Sequence, residues 1–281
     1  MPSAQWLGVL LRLGVFALIA ILGLFLFPMV LYPVFGYFIA AVFGTFAASA
    51  VANAFTLRIF ERLQLPAIGL TWIEGSGRNL VLGLAGGAGA ALVVLTLPVL
   101  VRVASIVPDT QHPAGFGPGL LVMISLIFGA VGEEVLFRGY PFQILMANAG
   151  RFATILPMAI LFAAMHGFNQ NVSTLGLVNT AGFGVVLGYA FARAGDLWLP
   201  IGIHLGWNWM LPLFGVNLSG FTMGVTGVTM RWTAGDLWSG GSYGPEASLL
   251  TCFVVVGLMF FVAKAPVVEH QPVLLRPARE A

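Results

Sequence analysis

The chain has 281 residues, of which 59% are hydrophobic and only 8% charged. A soluble domain carries roughly 25% charged residues, so this composition excludes a water-covered globule and predicts a polytopic membrane protein. The net charge of +2 comes from 12 Lys and Arg set against 10 Asp and Glu. The basic residues are scattered singly, which argues against a nucleic-acid surface and reads as a topology signal.

About 20 apolar residues cross a bilayer as a helix. From Leu13 to Leu57 no charge occurs, which is room for two spans, and Pro28 and Pro33 place a turn between them. The run is far longer than the roughly 7–15 residues of a signal-peptide core, so it is expected to be retained. Asn79–Val101 is the third span, with Gly83, Gly86, Gly87 and Gly89 permitting close helix contact. The fourth runs from near Gly119 to Glu133 and Glu134. The fifth covers Phe152–His166, the sixth Val172–Ala192, the seventh Leu197–Phe214 and the eighth Ala247–Ala263.

The expected fold is therefore all-α, a transmembrane bundle of about eight helices. Basic residues orient it. With the N-terminus cytoplasmic, Arg12, Arg58, Arg62, Arg78, Arg138, Arg151, Arg193, Lys264, Arg276 and Arg279 lie inside, against only Arg102 and Arg231 outside. This asymmetry fits the positive-inside rule and predicts both termini in the cytoplasm. Residues 1–112 hold the first three helices, 113–264 a core that carries the chemistry, and 265–281 a flexible cytoplasmic tail. Val216–Gly244 is glycine-rich and external on this topology. Pro245 and Glu246 then read as the first turn of the last span, where proline fits and an acid complements the helix dipole. Cys252 has no partner for a disulfide and reads as a small buried hydrophobe.

Five ionisable residues interrupt the apolar runs of the core: Glu133, Glu134, Arg138, His166 and His204. A charge at mid-bilayer costs at least about 2.5–3.5 kcal/mol even on a lenient insertion scale. Glu134 and Arg138 are four apart, with the acid on the N-terminal side, and are expected to form an internal ion pair. Glu133 projects about 100° away and has no sequence-local partner, which suits a general base or acid. His204 and Asn208 share one helix face. Each histidine taken singly is at home as a satisfied core residue. Together the carboxylate, two imidazoles and an amide supply a base, a polar anchor and an oxyanion donor.

Depth sets a condition on this set. If the fifth span starts at Arg151, His166 lies roughly 22 Å along it, while Glu133 lies about 8 Å from the cytoplasmic end of its own helix. A span starting nearer Pro157 would bring them level. Tyr140–Gly150 would then form an interfacial or re-entrant connection, broken at Gly139 and Pro141.

Glu133-Glu134-Val-Leu-Phe-Arg138 resembles the EExxxR motif of the CAAX-prenyl-protease/bacteriocin-processing family of intramembrane endopeptidases. Phe162-Ala-Ala-Met-His166 resembles its FxxxH motif and His204-Leu-Gly-Trp-Asn208 its HxxxN motif. The similarity covers roughly Leu120–Leu213. It implies an endopeptidase with a cavity open toward the cytoplasmic leaflet. Glu133 and His166 would hold and activate the hydrolytic water, His204 and Asn208 would stabilise the oxyanion, and Glu134 with Arg138 would organise the site. It also leaves open zinc or another divalent ion on Glu133, His166 and His204, beside a metal-free, glutamate-driven route; no organic cofactor is implied. The substrate would be a membrane-associated peptide or protein, prenylated or not, and the compact chain reads as bacterial, hence of the cytoplasmic membrane. A non-proteolytic immunity or scaffold protein on the same fold is the competing reading. A proton-coupled transporter is disfavoured because the polar groups cluster in one half, with no inverted repeat.

Overall fold

The computed structural model describes residues 2–112 and 114–275. Helix dominates. α1 spans Pro2–Thr56, α2 Ser76–Leu100, α3 Phe116–Arg138, α4 Tyr140–Ala149, α5 Arg151–His166, α6 Thr174–Ala194, α7 Trp198–Leu213, α8 Asp236–Ser239 and α9 Leu249–Lys264. The all-α bundle expected from composition is the one observed. Four runs, Gln5–Glu61, Ser76–Leu100, Phe116–Ala149 and Thr174–Ala194, are long and apolar enough to cross a membrane, and Arg151–His166 and Leu249–Lys264 are shorter apolar helices. The chain is an integral membrane protein. Large apolar side chains such as Phe25, Met29, Phe116 and Phe260 face outward, as a lipid-exposed surface requires.

α1 is two antiparallel arms. The turn lies at Gly36 (φ 73°, ψ 175°), not at Pro28 or Pro33, which both sit inside helix. Only a residue without Cβ takes that conformation cheaply, whereas a proline within a helix removes a single bond and can be tolerated. The arms touch closely: a Cβ on Gly23 would lie 2.8 Å from the Cβ of Ala48.

α2 and α7 form the tightest helix pair, through the small-residue stripe the sequence suggested. A Cβ on Gly83 would lie 2.9 Å from Gly202 Cα, and one on Gly87 would overlap the Ile203 carbonyl. Gly86 instead faces Phe261 of α9, and Gly89 meets nothing within 4 Å.

The core elements position the polar residues as follows. α3 packs along the second arm of α1 and stops at Gly139. Asn53 of α1 closes that break from both sides, donating to the Val135 carbonyl (3.0 Å) and accepting from Tyr140 N–H (2.7 Å). Gln143 donates to the carbonyls of Arg138 (3.1 Å) and Ile68 (2.8 Å). After this break α4 adds 10 residues, about 15 Å of helix, and packs on α5. α5 does start at Arg151, contrary to the expected start near Pro157. The depth conflict vanishes because α4 lengthens the α3 side of the hairpin by nearly the amount needed.

Two features differ from the sequence reading. Ala104–Pro108 (β1) pairs antiparallel with Val228–Trp232 (β2), tying the α2–α3 connection to the 216–246 segment. The tail is anchored over its described part: Val268 N–H donates to Asn79 Oδ1 (2.9 Å) and His270 N–H to the Ala194 carbonyl (2.7 Å). The His270 ring bridges Asp196 Oδ2 (2.8 Å) and the Glu74 carbonyl (2.9 Å). Arg276 and Arg279 lie outside the described residues.

Candidate active site

Glu134 and Arg138 are one turn apart on α3 and fully packed, at 0% and 1% exposure. Arg138 Nη1 donates to Glu134 Oε1 (3.1 Å) and Nη2 to the Gly184 carbonyl of α6 (3.0 Å). Its guanidinium lies 4.8 Å from the centroid of the Phe162 ring. Arg138 is thus internal and not a loop residue, which leaves the basic-residue asymmetry intact. The same Glu134 oxygen accepts from His204 Nδ1 on α7 (2.9 Å). α3, α6 and α7 are locked together around one buried carboxylate.

The histidine tautomers follow from these contacts. His166 Nδ1 faces the Phe162 carbonyl at 2.8 Å, and His204 Nδ1 faces a carboxylate oxygen that already accepts from Arg138. Both partners are acceptors, so Nδ1 carries the proton in each ring. Both Nε2 atoms turn to Glu133, at 3.7 Å from Oε2 for His166 and 3.9 Å for His204. Glu133 Oε2 has no hydrogen-bond partner among the described residues. Three acceptors from α3, α5 and α7 therefore converge on one point that a donor must fill, and a water molecule is the natural donor.

Glu133, His166, His204 and Asn208 line a cavity of ≈ 240 Å³; Glu134 and Arg138 stand behind it. Its walls are otherwise mostly apolar, including Leu126, Phe137, Phe162, Phe183 and Leu187. Such surroundings strengthen every electrostatic interaction inside. Of the lining side chains, Tyr37 of α1 and Met165 of α5 are well exposed, at 56% and 41%. The cavity also reaches Leu218–Met223 and the residues after the Gly36 turn, at the end of the bundle opposite His270, whereas the resemblance implied an opening toward the cytoplasmic leaflet.

As a metal set the same three acceptors stand too far apart. Donors bonded to tetrahedral zinc at about 2.0–2.1 Å stand roughly 3.3 Å apart, closer than the 3.7 and 3.9 Å seen here. Among the described residues no group of three or more His, Cys, Asp or Glu side chains is arranged to hold a metal ion. The residues as placed do not fit a direct ligand set.

Sequence reasoning missed Glu246. It does not start α9, whose N-terminus is capped by Ser248 Oγ accepting from Thr251 N–H (3.2 Å). It lies in a separate 3-10 turn, Pro245–Ala247, and lines the same cavity as Glu133. The signal was present but slight: an isolated acid between a glycine-rich segment and an apolar run.

Residues 115–210 match a family model described as Type II CAAX prenyl endopeptidase Rce1-like, a span that contains all three motifs. No curated protein matches the chain.

Proposed function

We propose that this chain, whose residues 115–210 match the Rce1-like CAAX endopeptidase family model, hydrolyses a peptide bond of a membrane-associated peptide or protein. The observation that carries the reading is the unpartnered Glu133 Oε2 facing two imidazole Nε2 atoms on the cavity wall. The asymmetry of its basic residues favours both termini cytoplasmic, and the compact chain favours a bacterial cytoplasmic membrane.

Water sits against Glu133 Oε2 and His166 Nε2, which accept its two protons. As its oxygen attacks the scissile carbonyl carbon, Glu133 takes one proton, as a general base does. The carbonyl oxygen becomes an oxyanion. Asn208 donates its amide N–H to it, and His204, whose Nε2 is an acceptor in the resting site, donates there after taking up a proton from solvent as substrate binds, while Nδ1–H stays on Glu134. Collapse of the intermediate breaks the C–N bond, and Glu133 returns its proton to the leaving amine. Glu134 and Arg138 touch no reacting atom; they hold His204 at its angle. No step passes through a metal.

The test uses purified protein in liposomes with a membrane-anchored peptide in water enriched in oxygen-18. One heavy oxygen should enter the new carboxyl group, and turnover should survive a strong chelator. Intact peptide sinks the proposal, and chelator-sensitive turnover restored by zinc sinks its metal-free chemistry.

A further inference from the structure

The cavity that Glu133 lines is also walled by Ser219, Phe221 and Met223 from the segment after α7, together with Glu246. The Glu246 carboxylate accepts from Trp207 Nε1–H (3.1 Å) at Oε1, and from both Ser219 N–H and Ser219 Oγ–H (3.0 Å) at Oε2. Among the described residues it has no salt-bridge partner. Its attachments therefore connect two walls: α7 next to Asn208, and the turn 218–221.

That turn is held under constraint. Ser219 has φ 50°, the left-handed region that a side chain disfavours. Such a residue persists only where its surroundings over-determine it, and here Glu246 takes both its amide and its hydroxyl. Leu218 and Phe221 bridge each other, and Gly220 N–H donates to the Tyr243 carbonyl (2.9 Å). Phe221 then projects onto the α1 hairpin, 6.0 Å from the Tyr37 ring and 5.9 Å from Phe38. Trp207 has separate support, its ring 4.6 Å from Phe183, so α7 does not depend on Glu246 alone.

We propose that Glu246 is a positioning residue for substrate binding: through Ser219 it fixes the 218–221 turn as the wall that holds the peptide against Glu133. The inference rests on the peptidase reading for its consequence, while the attachment itself is independent of catalysis. Glu246→Gln keeps size but turns an amide N–H toward one of the present donors, and Ser219→Ala removes one bond.

Both variants are compared with wild type in liposomes by cleavage kinetics. The same substitutions are placed in a Cys252→Ser, Thr222→Cys background carrying a nitroxide label on the exposed Thr222 position. Glu246→Gln should raise KM about tenfold with kcat within about twofold, the pattern of lost binding and not of lost chemistry, with Ser219→Ala intermediate. The nitroxide should become more mobile. A fall in kcat at constant KM signals a smaller folded fraction and overturns the proposal, as does unchanged KM or unchanged nitroxide mobility. If wild type shows no Glu133-dependent cleavage, the peptidase reading fails, whereas the nitroxide still decides the attachment.

Discussion

Glu134 and Arg138 illustrate what a buried ion pair does at the scale of single residues. Desolvating two charges costs about what their attraction returns, so such a pair is weak support for stability. This one is also incompletely satisfied, since Glu134 Oε2 and Arg138 Nε have no partner among the described residues. Its value lies in holding His204 Nδ1 and thereby aiming Nε2 at the cavity. Glu134→Gln strands the Arg138 charge and should lower unfolding stability in detergent by about 3–5 kcal/mol. Glu134→Leu combined with Arg138→Met should recover most of that loss without recovering cleavage, because His204 then lacks its acceptor. Recovery of both would show that the pair serves stability only. The Glu134–Arg138 pairing was legible from spacing of four. The convergence of Glu133 with two histidines from three helices was expected from the three motifs taken in order, not from any local spacing.

At the scale of elements, the break between α3 and α4 decides where the site residues stand. A continuous helix through Gly139 would carry Arg138 and Glu133 along a different axis, so the stop must be stable. Asn53 is buried and satisfies one backbone group on each side of it. Asn53→Leu leaves the Tyr140 N–H and the Val135 carbonyl without partners, at about 1–3 kcal/mol each. A loss of about 2–6 kcal/mol in chemical denaturation is expected, and a change below about 0.5 kcal/mol would refute the capping role. Apolar run length made the helices readable in advance, and the glycines of α2 made a close helix contact readable, though not that its partner is α7. The hairpin turn at Gly36 was not readable, because prolines advertise a break more loudly than one glycine among 36 in the chain. The β1–β2 ladder escaped too: each strand is short, and its partner lies beyond several helices.

On the scale of the whole molecule, the described part of the tail closes the end of the bundle opposite the cavity. A mixed-charge, proline-rich segment reads as free chain, yet Asn79, Ala194, Asp196 and Glu74 offer partners that no local pattern reveals. Asp196 lies in the α6–α7 connection. Burial pushes its carboxyl above the ordinary range, opposed by hydrogen bonds from Asn79, the Leu199 amide and His270. The folded state therefore holds this proton more tightly than the unfolded chain. Its contribution to stability is full below the ordinary carboxyl value and is lost as pH rises toward the raised one. Asp196→Asn should flatten that decline in unfolding midpoints measured from acid to neutral pH, and an unchanged slope would contradict it.

The central claim is that Glu133 activates water held between its own carboxylate and the His166 imidazole. Its most direct measurement is single-turnover cleavage of a membrane-anchored peptide by Glu133→Gln beside wild type, with peptide binding recorded in parallel. Cleavage should fall by about 10²–10⁴-fold, the usual contribution of a general base, while binding stays within about threefold. Cleavage within about tenfold of wild type would contradict the account.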